Sequence, residues 1–141
     1  MEEFRKLHQY LERTFPLVYR SGHVEVSTVN EHSLVFEWTG KEENWNQMKP
    51  VLFCAHLDVV PVGNVEDWII HDPFSGKIDD ETDIVWERGA IDNKHNVIAQ
   101  LFAIEHLLAK GVTQLERLVF VTCGHDEEIG GDEGAKHIVS S

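Results

Sequence analysis

From Asn93 onward, Val97, Ile98, Leu101, Phe102, Ile104, Leu107 and Leu108, with Glu105 among them, recur at helical spacing, and Gly111 supplies a stop. That predicted helix lies between two apolar runs that read as buried strands, Val51 to Ala55 and Leu118 to Thr122. A connection long enough to hold a helix returns the chain in its original direction, so the two strands are expected to run parallel. The expected fold class is therefore α/β, a mostly parallel sheet with flanking helices.

A helix and a hairpin are expected ahead of this unit. Phe4, Leu7, Tyr10, Leu11 and Phe15 fall on one helical face, and Pro16 ends the pattern. Val24, Val26 and Thr28 alternate with Glu25 and Ser27, and Asn30-Glu31-His32 turns the chain into a second strand over Ser33 to Trp38. Thr39 to Lys49 reads as a solvated loop. Val62 to Asp83 has no periodicity and reads as a long ordered loop beside a site, with Trp68 and Phe74 as its anchors. The 141 residues have the length of one domain, and 42% hydrophobic residues suffice for a core. Cys54 and Cys123 lie inside strand-like apolar runs, so buried reduced thiols are expected.

The chemistry gathers at three strand exits, where open α/β sheets place their ligands. The first apolar strand delivers His56-Leu57-Asp58; the short Ile84 to Trp86 leads through Arg88-Gly89-Ala90 to Asp92; the third delivers CGHDEEIGG, with Glu127 and Glu128 adjacent in a glycine-flanked turn. Adjacent carboxylates repel unless a cation sits between them. A neutral imidazole and ionised carboxylates suit Zn²⁺, and one carboxylate can bridge two metals. His56 is the nitrogen ligand expected on these grounds. Asp58 is placed to hold its other ring nitrogen, and Asp92 to bridge. Of Glu127 and Glu128, one can ligate while the other takes a proton from water; spacing leaves open which does which. Lys94 and Arg88 are expected to pair with the site carboxylates. His71, His95, His106 and His137 read as surface residues, and His125 and Asp126 as structural members of the turn. A facial triad of an iron oxygenase, built on His56 and Asp58, fits poorly with the long helical pattern, since those sites sit on all-β barrels.

HLDVVPVG at His56 to Gly63, DPFSG at Asp72 to Gly76, RGAIDNK at Arg88 to Lys94 and GHDEEIGG at Gly124 to Gly131 together resemble the motif set of the co-catalytic zinc aminoacylase and carboxypeptidase family. That family includes acetylornithine deacetylase, succinyl-diaminopimelate desuccinylase and aminoacylase. Its most similar branch holds carboxypeptidase S and the N-fatty-acyl-amino-acid synthase/hydrolase. The resemblance implies a site with two Zn²⁺ ions in its complete form. His56 would bind one zinc, Asp58 would orient it, Asp92 would bridge, Glu128 would bind the second zinc and Glu127 would be the general base. A cis peptide after Asp92 is implied as well. The implied substrates are small N-acyl-amino acids or short peptides, and the implied settings are secreted or vacuolar.

Two departures stand out: Glu87 replaces a usual glycine, and His95 a small or amide residue. The family's further metal-binding carboxylate, its late histidine and its lid domain, through which a homodimer would form, have no counterpart here. Residues 1–141 are therefore expected to be the N-terminal part of a zinc metallopeptidase catalytic domain, with too few ligands to be competent alone. The alternative is a non-catalytic truncated product acting as a binding module. A formal net charge of −13 argues against nucleic acid or an anionic membrane as partner.

Overall fold

A computed structural model of the chain describes residues 2–44 and 47–141. Within the expected loop from Thr39 to Lys49, residues 45–46 lie outside the described residues.

Helix α1 covers Glu2–Thr14, with Glu2 and Glu3 in its first turn and Arg13 in its last, the arrangement the helix dipole favours. Pro16 ends it and also begins α2, Pro16–Arg20, because proline fits a first helical position, where its missing N–H would have no partner anyway. The free N–H groups of Leu17 and Val18 in α2 are taken by Glu105, whose two carboxylate oxygens lie 3.1 and 2.9 Å from them. The charged residue in the apolar series of the long helix therefore caps another helix.

Strands β1 (Val24–Val29) and β2 (Ser33–Trp38) form the expected hairpin. Its turn takes left-handed backbone at Asn30 (φ 46°) and Glu31 (φ 67°). Strand β3 spans Val51–His56. A two-stranded ribbon follows, β4 (Lys77–Ile78) with β5 (Val85–Trp86), inside the stretch read as loop and the strand read from Ile84. Helix α3 spans His95–Ala109, β6 spans Val119–Gly124 and α4 spans Ala135–Ser140.

The main sheet has the order β1-β2-β6-β3. The α/β class holds, and β3 and β6, the pair joined through α3, are parallel. The sheet as a whole is mixed rather than mostly parallel, because β2 joins the free side of β6 antiparallel and carries β1 with it. Along the cross-strand register, Leu34 faces Cys123 and Phe36 faces Val121. These residues, with Leu11, Phe15 and Val18 from the first two helices and Val97, Leu101, Ile104 and Leu108 from α3, form one buried core. Each fully buried aliphatic side chain there contributes about 1.5–3 kcal/mol.

Outside that stripe the expectations needed correction. Phe102 and Leu107 belong to the apolar helical face that the spacing predicts but are exposed. Cys123 is buried and free as expected, whereas Cys54 is free and exposed, because β3 is an edge strand whose Leu52 and Phe53 also face outward.

Candidate active site

The parallel pairing of β3 with β6 places His56 opposite Gly124, and Leu57 N–H extends the ladder to Gly124 O at 2.7 Å. The exits of the two strands thus run side by side, with His56-Leu57-Asp58 beside Gly124-His125-Asp126. Glu127–Ile129 form a single tight helical turn immediately after, closed by Gly130 and Gly131 in left-handed backbone.

Asp92 arrives by a different route. After β5 the chain passes Gly89 at φ 84° and enters an irregular wide turn, Ala90–Lys94. A side chain at Gly89 would collide with Val59, so the close approach as well as the dihedral requires glycine. The Asp92–Asn93 peptide bond is cis.

These elements bring one ligand atom each from His56, Asp92 and Glu128 within 4.8 Å of one another. His56 Nε2 lies 3.0 Å from Asp92 Oδ1 and 3.9 Å from Glu127 Oε2. His56 Nδ1 faces two acceptors, the Asp58 carbonyl at 3.2 Å and Asp58 Oδ1 at 3.3 Å, so both ring nitrogens face acceptors, and a neutral ring with its proton on Nδ1 would offer Nε2 to the cluster. The Asp58 carboxylate also accepts the backbone N–H of Glu127 at 3.2 Å and of Glu128 at 3.0 Å. His56 and Asp58 are sequestered, with side chains 6% and 14% exposed, whereas Asp92 and Glu127 stand open at 67% and 62%. The imidazole and its binding partners are thus fixed, and the carboxylates that would meet an ion or substrate remain accessible.

The electrostatics follow the geometry. Burial by itself lowers the His56 pKa, but the hydrogen bond to Asp92 and the negative charges of Asp58 and Glu127 outweigh it, and the value is raised above that of a free histidine. Lys94 is shifted the other way: burial lowers its pKa against the opposing pull of Asp58 and Glu87. Among the described residues it forms no ion pair with a site carboxylate, so the expected pairing is not made and Lys94 acts there only through its charge. Arg88 does not pair with them either, since its guanidinium lies over the Trp68 ring, 5.2 Å from the centroid. Trp68 is an anchor as expected, donating its indole N–H to Val62 O at 2.9 Å. Phe74 is not, being 62% exposed on the wall of a cavity of about 810 Å³ that Asp58 and Lys94 also line. Glu87, the departure from glycine, is half-buried. Its carboxylate accepts the backbone N–H of Gly76 and so joins the DPFSG turn to the RGA turn.

The sequence reading missed His32 and Ser33. Both are buried at the hairpin turn, and Ser33 Oγ lies 2.8 Å from His125 Nδ1. Turn composition explained them locally, and only the packing of β2 against β6 places them behind the acid-bearing turn.

The chain belongs to peptidase family M20/M25/M40, whose family model matches residues 52–141. It is 48% identical over 136 residues to a putative carboxypeptidase of Saccharomyces cerevisiae, covering 95% of this chain and 22% of that protein. Carboxypeptidase S of the same yeast is 41% identical over 141 residues, with 99% of this chain and 23% of the relative covered. The N-fatty-acyl-amino acid synthase/hydrolase of Mus musculus is 36% identical over 130 residues, 92% of this chain and 24% of that one. Among solved structures, human carnosine dipeptidase 1 shares the fold with a TM-score of 0.70 at 23% identity, covering 99% of this chain and 30% of that chain. The chain thus spans about a quarter of the length of the curated relatives it matches. Among the described residues, no helix is long and apolar enough to cross a membrane.

Proposed function

We propose that the chain supplies the N-terminal part of a zinc-dependent amidohydrolase site, acting on the amide bond of an N-acyl-amino acid or on a C-terminal peptide bond. The observation that carries the reading is the convergence of His56, Asp92 and Glu128 within 4.8 Å, with Glu127 standing 3.9 Å from His56 Nε2. One imidazole nitrogen and two carboxylates are a donor set that zinc accepts, so the residues fit the ion.

In this reading His56, Asp92 and Glu128 would hold the metal, with two ions in the complete site. When bound, zinc supplies Lewis acidity to water and to the scissile carbonyl. Asp58 keeps Nδ1 of His56 protonated so that Nε2 presents its lone pair. It also fixes the Glu127 and Glu128 backbone from the front. Glu127 takes the proton from the attacking water at its exposed carboxylate and delivers it to the leaving amine nitrogen. Lys94 offsets part of the carboxylate repulsion around Asp58. The remaining ligands and the substrate-selecting surfaces belong to segments outside residues 1–141, and a homodimer would form through a lid domain there. A small N-acyl-amino acid or peptide substrate accords with the names of the relatives, and a secreted or vacuolar setting is what the resemblance implies.

Glu127→Gln and Glu128→Gln separate the two roles. In the catalytically complete protein carrying this chain, Glu127→Gln lowers turnover by about 10²–10⁴-fold with metal content retained. Glu128→Gln loses zinc by elemental analysis. The reverse pattern would exchange the roles, and unchanged metal and turnover in both would refute the site.

A further inference from the structure

Glu127 cannot owe its position to its own side chain, which is 62% exposed. Its placement comes through the backbone, and the backbone is gripped at both ends of the acid-bearing turn by groups that touch none of the site atoms. Ahead of the turn, His125 Nδ1 lies 2.8 Å from the hydroxyl of the fully buried Ser33. The ring of His125 meets Phe4 edge-on at 5.9 Å and His32 at 5.4 Å, and Phe4 and His32 stack on each other at 5.1 Å.

Behind the turn, buried Asp126 accepts the Glu133 N–H at 2.7 Å. Glu133 is itself tied to the hairpin turn, since Asn30 donates to its carbonyl at 2.9 Å and to its carboxylate at 3.0 Å. At Gly134 a β-carbon would overlap Asp126 Oδ1 and press within 3.1 Å of His125 N and 3.2 Å of Ser33 Oγ, so this packing admits no side chain there. The hairpin turn therefore contacts both ends of a turn whose own two carboxylates repel each other.

We infer that His125, held by Ser33 at the start of β2, is a positioning residue that sets the backbone of Glu127 and Glu128 for the site. The inference rests on the roles proposed above for those two acids. Asp58 accepts the amides of Glu127 and Glu128, and the His125–Ser33 bond ties the start of the same turn to β2. The pairing also gives each of the two polar groups a partner at the junction of α1, β2 and β6, where an unpaired one would cost stability.

The test uses the metal-free 141-residue chain and reads amide hydrogen exchange residue by residue, together with zinc affinity by chelator competition. His125→Leu and Ser33→Ala each remove the bond, and the second deletes a single oxygen and so leaves the packing nearly intact. His125→Asn restores a polar atom where Nδ1 stood. Expected are Glu127 and Glu128 amides that exchange about tenfold faster in the first two variants, an unchanged Val97–Leu108 segment, and return toward wild type in His125→Asn. Zinc affinity falls in parallel by about 10-fold or more and recovers with the same variant. Wild-type exchange at Glu127 and Glu128 in both bond-removing variants overturns the inference, as does a loss of protection spread evenly over α3. If the amides respond as expected while the wild-type chain takes up no zinc, the positioning role stands and the metal reading fails.

Discussion

Asp58 and Glu128, 70 residues apart, are joined by a 3.0 Å hydrogen bond from the Glu128 backbone N–H to Asp58 Oδ2. The other oxygen of Asp58 faces both the Glu127 N–H and Nδ1 of His56. One carboxylate therefore links the imidazole to the acid turn. Asp58→Asn keeps one acceptor but puts a donor where a second is needed, setting either the His56 proton or a turn amide against an N–H. The expected result is zinc affinity lowered about 10–100-fold, measured by chelator competition. Unaltered affinity would confine Asp58 to a structural role.

In the proposed zinc site, metal and protons would compete for His56. Its folded pKa is raised, so in the metal-free chain the protonated ring contributes stability that is complete below the unfolded value of about 6.5 and is lost as pH rises through the folded value. Zinc reverses the slope, because it needs the neutral ring. Melting curves with saturating zinc and with chelator are expected to converge toward low pH and to separate as pH rises above the His56 value. Curves that coincide at every pH would show that the cluster takes no ion.

Glu105 provides a test of the fold remote from the site. Its carboxylate takes the N–H groups of Leu17 and Val18 at 3.1 and 2.9 Å. Glu105→Ala leaves two partly buried donors without that acceptor and should lower stability by about 1–3 kcal/mol in denaturant unfolding. Zinc affinity extrapolated to the folded fraction should be unchanged. A stability equal to wild type would mean that water replaces the cap.

The thiols should differ sharply. Burial pushes the Cys123 thiol up to about 12, whereas Cys54 is exposed on the edge strand. Alkylation of the native chain near neutral pH should label Cys54 quickly and Cys123 only on unfolding, as read by peptide mass spectrometry. Equal labelling of both would contradict the packing of β6 in the core.

Much of the site was legible because its information is local. The apolar spacing from Val97 to Leu108 and the runs ending at His56 and Gly124 imply a crossover, and a crossover makes parallel strands whose exits lie together. The motifs then put His56, Asp58, Asp92, Glu127 and Glu128 in one neighbourhood before any coordinates are considered. Arg88, Phe74 and Cys54 were misread for a shared reason. An arginine near acids, an aromatic in a loop and a cysteine in an apolar run each have a usual environment, and which one they meet depends on neighbours far away in the chain.

The sequence by itself determined the first helix, the long helix α3, the hairpin, the crossover and the set of groups that meet at the strand exits, since periodicity and turn chemistry act over a few residues. Tertiary structure decided which edge of β6 the hairpin would occupy. Backbone N–H and C=O groups on a strand edge accept a partner of either direction, and side-chain burial across the whole sheet makes the choice. That choice made the sheet mixed, left β3 at an edge with Cys54 exposed, and brought Ser33 and His32 behind the turn that carries Glu127 and Glu128.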